Sequence, residues 1–214
     1  MISKISNRMT QVLIEAGVIL DTENELYNYG IFMIISYAVF LVVSLSFGII
    51  LKIPLSSVHF YLVFCLIRSF AGGIHAESES KCDIITTGLI LICEVLIKLF
   101  IDYSLVGIAY IAQIVSSACL CVIKPVASSQ KEISDQERIL FHKKVFVLMI
   151  SALIVSTICF IIGINNITIS SSMGFTLASF LLVLGRMKER QKSCRNLQKN
   201  QQTEIELFKE KSKQ

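Results

Sequence analysis

The chain has 214 residues, 54% apolar and 17% charged, with no tryptophan, two prolines and a formal net charge of +4. A soluble domain carries about 45–50% apolar and about 25% charged residues, so this composition, with a mean hydropathy of +0.69, excludes an ordinary water-soluble fold and points to several membrane spans in one compact domain. Seven cysteines, an odd number set mostly in apolar runs, exclude a complete disulfide framework and read as reduced thiols, while the modest charge without interleaved aromatics argues against nucleic-acid binding.

The N-terminus lacks the continuous apolar core and Ala-x-Ala site of a cleavable signal. Instead Ile2, Ile5, Met9, Val12, Leu13, Ala16 and Leu20 recur at helical spacing opposite Lys4, Asn7, Arg8, Gln11 and Glu15. Residues 1–21 therefore read as an amphipathic helix, lying on the membrane surface or capping the bundle in water. Thr22-x-x-Glu25 has the form of a capping box, with Tyr27 and Tyr29 at interfacial depth. Six apolar segments follow: 31–51, closed by Lys52 and Pro54; 55–70, short and bearing His59 and Arg68; 84–101; 105–123, closed by Lys124-Pro125; and 145–164 with 167–184, a hairpin around Asn165-Asn166. A spanning helix needs about 20 mostly apolar residues, so the expected fold is all-α: a polytopic membrane domain over 22–185 with about six transmembrane helices, preceded by the amphipathic helix. Glu94 and Lys98, four apart, are placed for an ion pair inside the bundle. His59, in an apolar stretch, is expected to make a structural hydrogen bond, and His142, beside Lys143 and Lys144, to belong to a basic face.

Basic residues are unevenly distributed. The 124–144 connection holds Lys124, Lys131, Arg138, Lys143 and Lys144, and in the tail 186–214 nine Lys and Arg against four Glu leave +5. The connections after the first, third and fifth segments hold one such residue between them. By the positive-inside rule both termini and the connection between the second and third segments face the cytoplasm. The tail then suits anionic lipid, or an acidic peptide.

That second connection, Arg68-Ser-Phe-Ala-Gly-Gly-Ile-His-Ala-Glu-Ser-Glu-Ser-Lys-Cys82, is a polar, glycine-broken island in a hydrocarbon-rich chain. A cysteine becomes a nucleophile when a neighbour keeps it ionised, and histidine is the usual one. On a continuous helix the seven residues from His75 to Cys82 would rise about 10 Å, too far for proton transfer over about 3 Å. The pair therefore requires a fold-back. Gly72-Gly73 permits a bend, Ser78, Glu79 and Ser80 can supply a turn, and Cys82 belongs near the start of the next helix, where unpaired amides favour thiolate. Lys81 would aid ionisation and Asp83 oppose it; Glu77, Glu79 and Asp83 are candidates to orient the imidazole, and Arg68 to hold a substrate carboxylate or the loop.

These residues resemble the signature of the AgrB family of accessory gene regulator membrane peptidases: Arg-x-x-x-x-Gly-x-His-Ala, then Cys seven residues after the His, filled here by Arg68, Gly73, His75, Ala76 and Cys82. Lys124-Pro125 resembles the start of that family's basic, proline-bearing region between the fourth and fifth spans; a second proline of that region is absent, Lys131-Glu132 standing in its place. The resemblance implies a cell-membrane cysteine endopeptidase with His75 and Cys82 catalytic and no cofactor or metal. It implies a small propeptide substrate with an amphipathic leader and acidic tail, cleaved and cyclised through a thioester to a thiolactone or lactone quorum-sensing pheromone. It implies a homodimer as well. Arg68, Gly73, Glu77, Glu79, Lys124 and Pro125 are the supporting residues. The competing reading is a small permease or peptide exporter with Glu94, Lys98 and Arg68 as pathway charges.

Overall fold

A computed structural model describes residues 2–71, 79–122 and 135–187. These residues form seven α-helices and no strand. They are α1 (Ile2–Glu15), α2 (Asn24–Ile50), α3 (Pro54–Ala71), α4 (Glu79–Asp102), α5 (Val106–Val122), α6 (Asp135–Ile162) and α7 (Asn165–Met187), with a 3-10 turn, Asp21–Glu23, before α2.

Local chemistry explains most boundaries. Pro54 opens α3, where its missing N–H costs nothing. Four helices close on a six-to-one backbone bond of the Schellman type: Val18 N–H to Leu13 O (3.0 Å), Ile53 N–H to Gly48 O (2.8 Å), Leu105 N–H to Phe100 O (2.9 Å) and Ile164 N–H to Cys159 O (2.8 Å). The left-handed residue in each is Gly17, Lys52, Ser104 or Gly163. The turn between α6 and α7 is thus Gly163-Ile164, and Asn165-Asn166, expected as the hairpin turn, opens α7 instead. The Thr22 capping box is not formed: α2 is preceded by the 3-10 turn and Glu23 at its N-cap makes no side-chain cap bond. Also, α6 begins ten residues ahead of the expected position 145, because no Gly or Pro stands between Pro125 and Gly163 to stop it.

Side-chain bonds give the order of the bundle. Ser44 on α2 reaches the Ser57 carbonyl on α3, and the Tyr37 hydroxyl meets Ser69 (3.2 Å), so α3 runs antiparallel to α2. On α7, Ser171 meets His59 (2.9 Å), as expected for a histidine in that stretch, and a Cβ on Gly174 would meet Val63; α7 is parallel to α3. Ser172 donates to the Ala109 carbonyl (2.5 Å) and Ser116 meets Thr176 (3.2 Å), so α5 runs the same way, while Thr168 to Ser156 O turns α6 back. The six helices after α1 therefore alternate in direction.

α7 is the central helix: 72% of its apolar window is buried, against 17% for α2 and 22% for α4. Phe60, Phe64 and Ile67 of α3 pack with Ile169, Phe175 and Leu182 of α7 in one apolar core. Beside that core runs a seam of hydroxyls, with Ser57, Ser156, Thr168, Ser170 and Ser172 all at 0% exposure. Lipid tails are as apolar as leucine, so small residues that allow close approach, and interhelical hydrogen bonds of about 0.6 kcal/mol each, supply association here. α2, α4 and α7 are long and apolar enough to cross a membrane, whereas the apolar parts of α3, α5 and α6 are shorter: Pro54–Ser69, Val106–Val122 and Met149–Ile162.

Candidate active site at one end of the bundle

Arg68 lies in the last turn of α3 and Cys82 in the first turn of α4. Gly73, His75 and Glu77 fall between the two helices, and Lys124 and Pro125 follow α5; all five lie outside the described residues, as does the expected tail from 188 onward. Glu79 is the first residue of α4. Since Glu79 and Ser80 are already helical, the turn expected from Ser78-Glu79-Ser80 is confined to residues before 79, and three of the steps from His75 to Cys82 belong to α4.

The end of α3 is tied to α2. Ser69 donates to the Cys65 carbonyl (2.8 Å) and meets Tyr37, while the Tyr61 hydroxyl donates to the Tyr37 carbonyl (3.0 Å). This anchoring holds the α3 terminus, with half-buried Arg68, against a fixed neighbour on α2. The N-terminus of α4 is fixed indirectly. Glu94 bonds Ser44 of α2, and twelve residues at about 1.5 Å rise put the Cys82 turn roughly 18 Å back along α4, towards the same end of α2 as Tyr37.

α1 sits at that end too. The Ser6 hydroxyl donates to the Asn28 carbonyl (2.6 Å) and the Asn28 side-chain amide to Asn7 Oδ1 (2.6 Å). Ser6 and Thr10 are buried, whereas Ile5, Met9 and Val12 are 46%, 49% and 58% exposed. The polar seam packs and the apolar face is left outward, lining with Lys4 and Arg8 an open concavity of about 680 Å³. The helix ends at Glu15, so Ala16 and Leu20, expected on its apolar face, lie beyond it. From the helix directions, the C-termini of α5 and α7 and the start of α6 share this end with Arg68 and Cys82.

Sequence spacing misassigned one charge pair. Lys98 Nζ donates to Asp102 (2.6 Å), not to Glu94, which is fully buried on Ser44. The spacing Lys98-x-x-x-Asp102 offers the same i, i+4 geometry, and Glu94 found its partner fifty residues away, where no local pattern points. Among the described residues no three His, Cys, Asp or Glu converge as metal ligands, and Cys65, Cys93, Cys119, Cys121 and Cys159 are free thiols.

No curated protein and no solved structure matches the chain. A family model does: Accessory gene regulator B matches residues 6–183, from within α1 to within α7. The matched range contains every residue of the expected signature, from Arg68 to Cys82, and the Lys124-Pro125 element. The chain belongs to the AgrB family.

Proposed function

We propose that the protein is a membrane-embedded cysteine endopeptidase that cleaves a small quorum-sensing propeptide and closes its product into a ring. Membership of the AgrB family associates the chain with propeptide processing in quorum sensing. The observation that carries the finer reading is the position of Cys82 in the first turn of α4, where unpaired backbone N–H groups and the helix dipole favour a thiolate.

In this reading His75 takes the Cys82 proton and the sulfur attacks the scissile carbonyl. The C–N bond breaks, the departing C-terminal fragment takes the proton from the imidazolium, and the peptide stays on Cys82 as a thioester. An internal Cys or Ser of the peptide then gives its proton to His75 and attacks the thioester. The new ring bond forms, the bond to Cys82 breaks, and the proton returns to the Cys82 sulfur. No water is consumed. A site at the end of a lipid-embedded bundle limits access of the water that would otherwise hydrolyse the thioester. Arg68 binds or orients the substrate, Glu77 or Glu79 orients the imidazole, and the Lys124-Pro125 element contacts the acidic part of the propeptide. Six crossings, a homodimer, a membrane-lying α1 and a cytoplasmic active site complete the proposal.

The test is co-expression with a candidate propeptide, following cleavage by mass. Cys82→Ala abolishes cleavage, and His75→Ala lowers its rate by about 10²–10⁴, while both variants reach the membrane in wild-type amounts. Cleavage undiminished in Cys82→Ala overturns the proposal.

A further inference from the structure

α1 is fastened to the bundle by its polar side. Ser6 and Thr10 are buried, the Ser6 hydroxyl donates to the Asn28 carbonyl, and the Asn28 amide donates to Asn7. α1 therefore lies against the first turns of α2, a helix long and apolar enough to cross a membrane. Tyr27 and Tyr29, both exposed at this level of α2, are of the residue type that settles where headgroups meet acyl chains. The side of α1 turned outward carries Ile5, Met9 and Val12. At that height acyl chains are the surroundings that suit such a face.

Lys4 and Arg8 stand on the rim of that face, both exposed and one helical turn apart, with about 5–6 Å between their Cβ atoms. Among the described residues neither makes a hydrogen bond or an ion pair. Of the acidic residues near in sequence, Glu15 lies about 10 Å beyond Arg8 along α1, and Asp21, Glu23 and Glu25 belong to the 3-10 turn and the first turn of α2. The two cations are thus free for an anion from outside. A guanidinium takes two phosphate oxygens in its fork and an ammonium takes a third, while the aliphatic stems lie along apolar surface. With Ile5, Met9, Val12 and Leu13 the two side chains line an open concavity of about 680 Å³, within the size range of small-molecule sites. Two cations above an apolar trough complement both parts of an anionic phospholipid, and the height of α1 on α2 places it where such lipids are concentrated.

We propose that α1 is a binding element for anionic phospholipid, in which Lys4 and Arg8 share one lipid phosphate and Ile5, Met9 and Val12 receive its acyl chains. A lipid seated there holds α1 flat and, through the Ser6–Asn28 contact, steadies the start of α2 at the end of the bundle that carries Arg68 and Cys82. The proposal rests on the membrane-lying α1 of the proposed function and names its lipid; it makes no use of the peptidase chemistry.

The chain has no tryptophan, so Met9→Trp places a single fluorescent reporter on this face. The full chain carrying it is reconstituted in phosphatidylcholine vesicles with a minor share of phosphatidylglycerol. Brominated acyl chains, which quench indole on contact, are put either on the phosphatidylglycerol or on an equal amount of the phosphatidylcholine. Bromines on the anionic lipid quench more strongly, corresponding to a local enrichment of about fivefold for each basic side chain, and Lys4→Gln with Arg8→Gln brings the two lipids level. Ile108→Trp, on the exposed side of α5 towards the other end of the bundle, is quenched equally by both and does not respond to those substitutions. Equal quenching at residue 9, a preference that survives loss of both cations, or the same preference at residue 108 overturns the proposal and leaves α1 in the membrane. Quenching by neither lipid means that water, a second copy or a peptide covers the face, and overturns the membrane-lying α1 as well. Should Met9→Trp fail to insert, Val12→Trp reports from the same face.

Discussion

Gly48 sits where α2 and α3 come closest, and its lack of a side chain is what allows it. A Cβ there would overlap the Ser57 hydroxyl, approach the Ser57 Cβ to 2.5 Å and lie 3.3 Å from the Pro54 Cα. Two of those atoms are fixed to the α3 backbone, so the helices must part. Overpacking costs about 1–3 kcal/mol, whereas the helix-propensity gain of Gly→Ala is about 1 kcal/mol. Gly48→Ala is therefore expected to lower the thermal midpoint in detergent, and pairing it with Ser57→Gly should recover part of the loss; additive losses would show that the two residues do not share a contact. Nothing in the sequence singled out Gly48 or Ser57. A glycine among apolar residues announces a possible close approach but not its partner. The same limit applies to Glu94: its charge marked it as important, and its binding to Ser44 depends on how α2 and α4 are packed. The His75–Cys82 pair, in contrast, is proposed from the sequence because its chemistry would be contained in one short stretch, and His75 lies outside the described residues.

Helix termini show how far local chemistry carries an element. Four helices end on the same backbone motif, yet only Gly17 and Gly163 supply the residue that tolerates positive φ without strain; Lys52 (φ 62°) and Ser104 (φ 52°) occupy the same conformation with a Cβ. A non-glycine residue held left-handed costs about 1–3 kcal/mol, and glycine's greater unfolded freedom takes back about 0.4–1 kcal/mol. Ser104→Gly and Lys52→Gly are each expected to stabilise by roughly 0.5–1 kcal/mol on that difference, and Gly163→Ala, with open space around it, to destabilise by a similar amount. Thermal midpoints of the three variants check the sign, and a stability loss in both glycine substitutions would refute the account. The elements themselves were readable because a span has to be apolar along its whole length and a proline or Schellman glycine ends it. Boundaries were missed where no breaker existed, as in the early start of α6, or where a backbone turn replaced side-chain capping, as before α2. α1 was read correctly as amphipathic, but its packing face, Ser6 and Thr10, is the polar one; hydrophobic periodicity has no means of reporting a contact made by hydroxyls.

At the scale of the whole molecule, helix direction converts a scattered charge pattern into one surface. α1 with Lys4 and Arg8, the Arg68 turn, the ends of α5 and α7 and the start of α6 gather at one end of the bundle, while the α2–α3, α4–α5 and α6–α7 turns occupy the other. The segments that continue from the first end hold Lys124 and Lys131 and the basic tail, and the turns at the other hold Lys52 as their single basic residue. Short basic segments stay on the cytoplasmic side, so the end that carries Arg68 and Cys82 is expected to face inward, where a catalytic thiol is kept reduced. Thiol labelling tests this without altering the site. A membrane-impermeant maleimide added to intact cells should react with Ser104→Cys, at the far end, and leave the wild type unlabelled although Cys194 lies in its tail. Opening the cells should then label the wild type, with the signal reduced in Cys194→Ser. Labelling of wild-type Cys194 in intact cells would put the basic end, and with it the proposed nucleophile, on the oxidising side of the membrane, where the thiol chemistry argued from Cys82 could not be sustained.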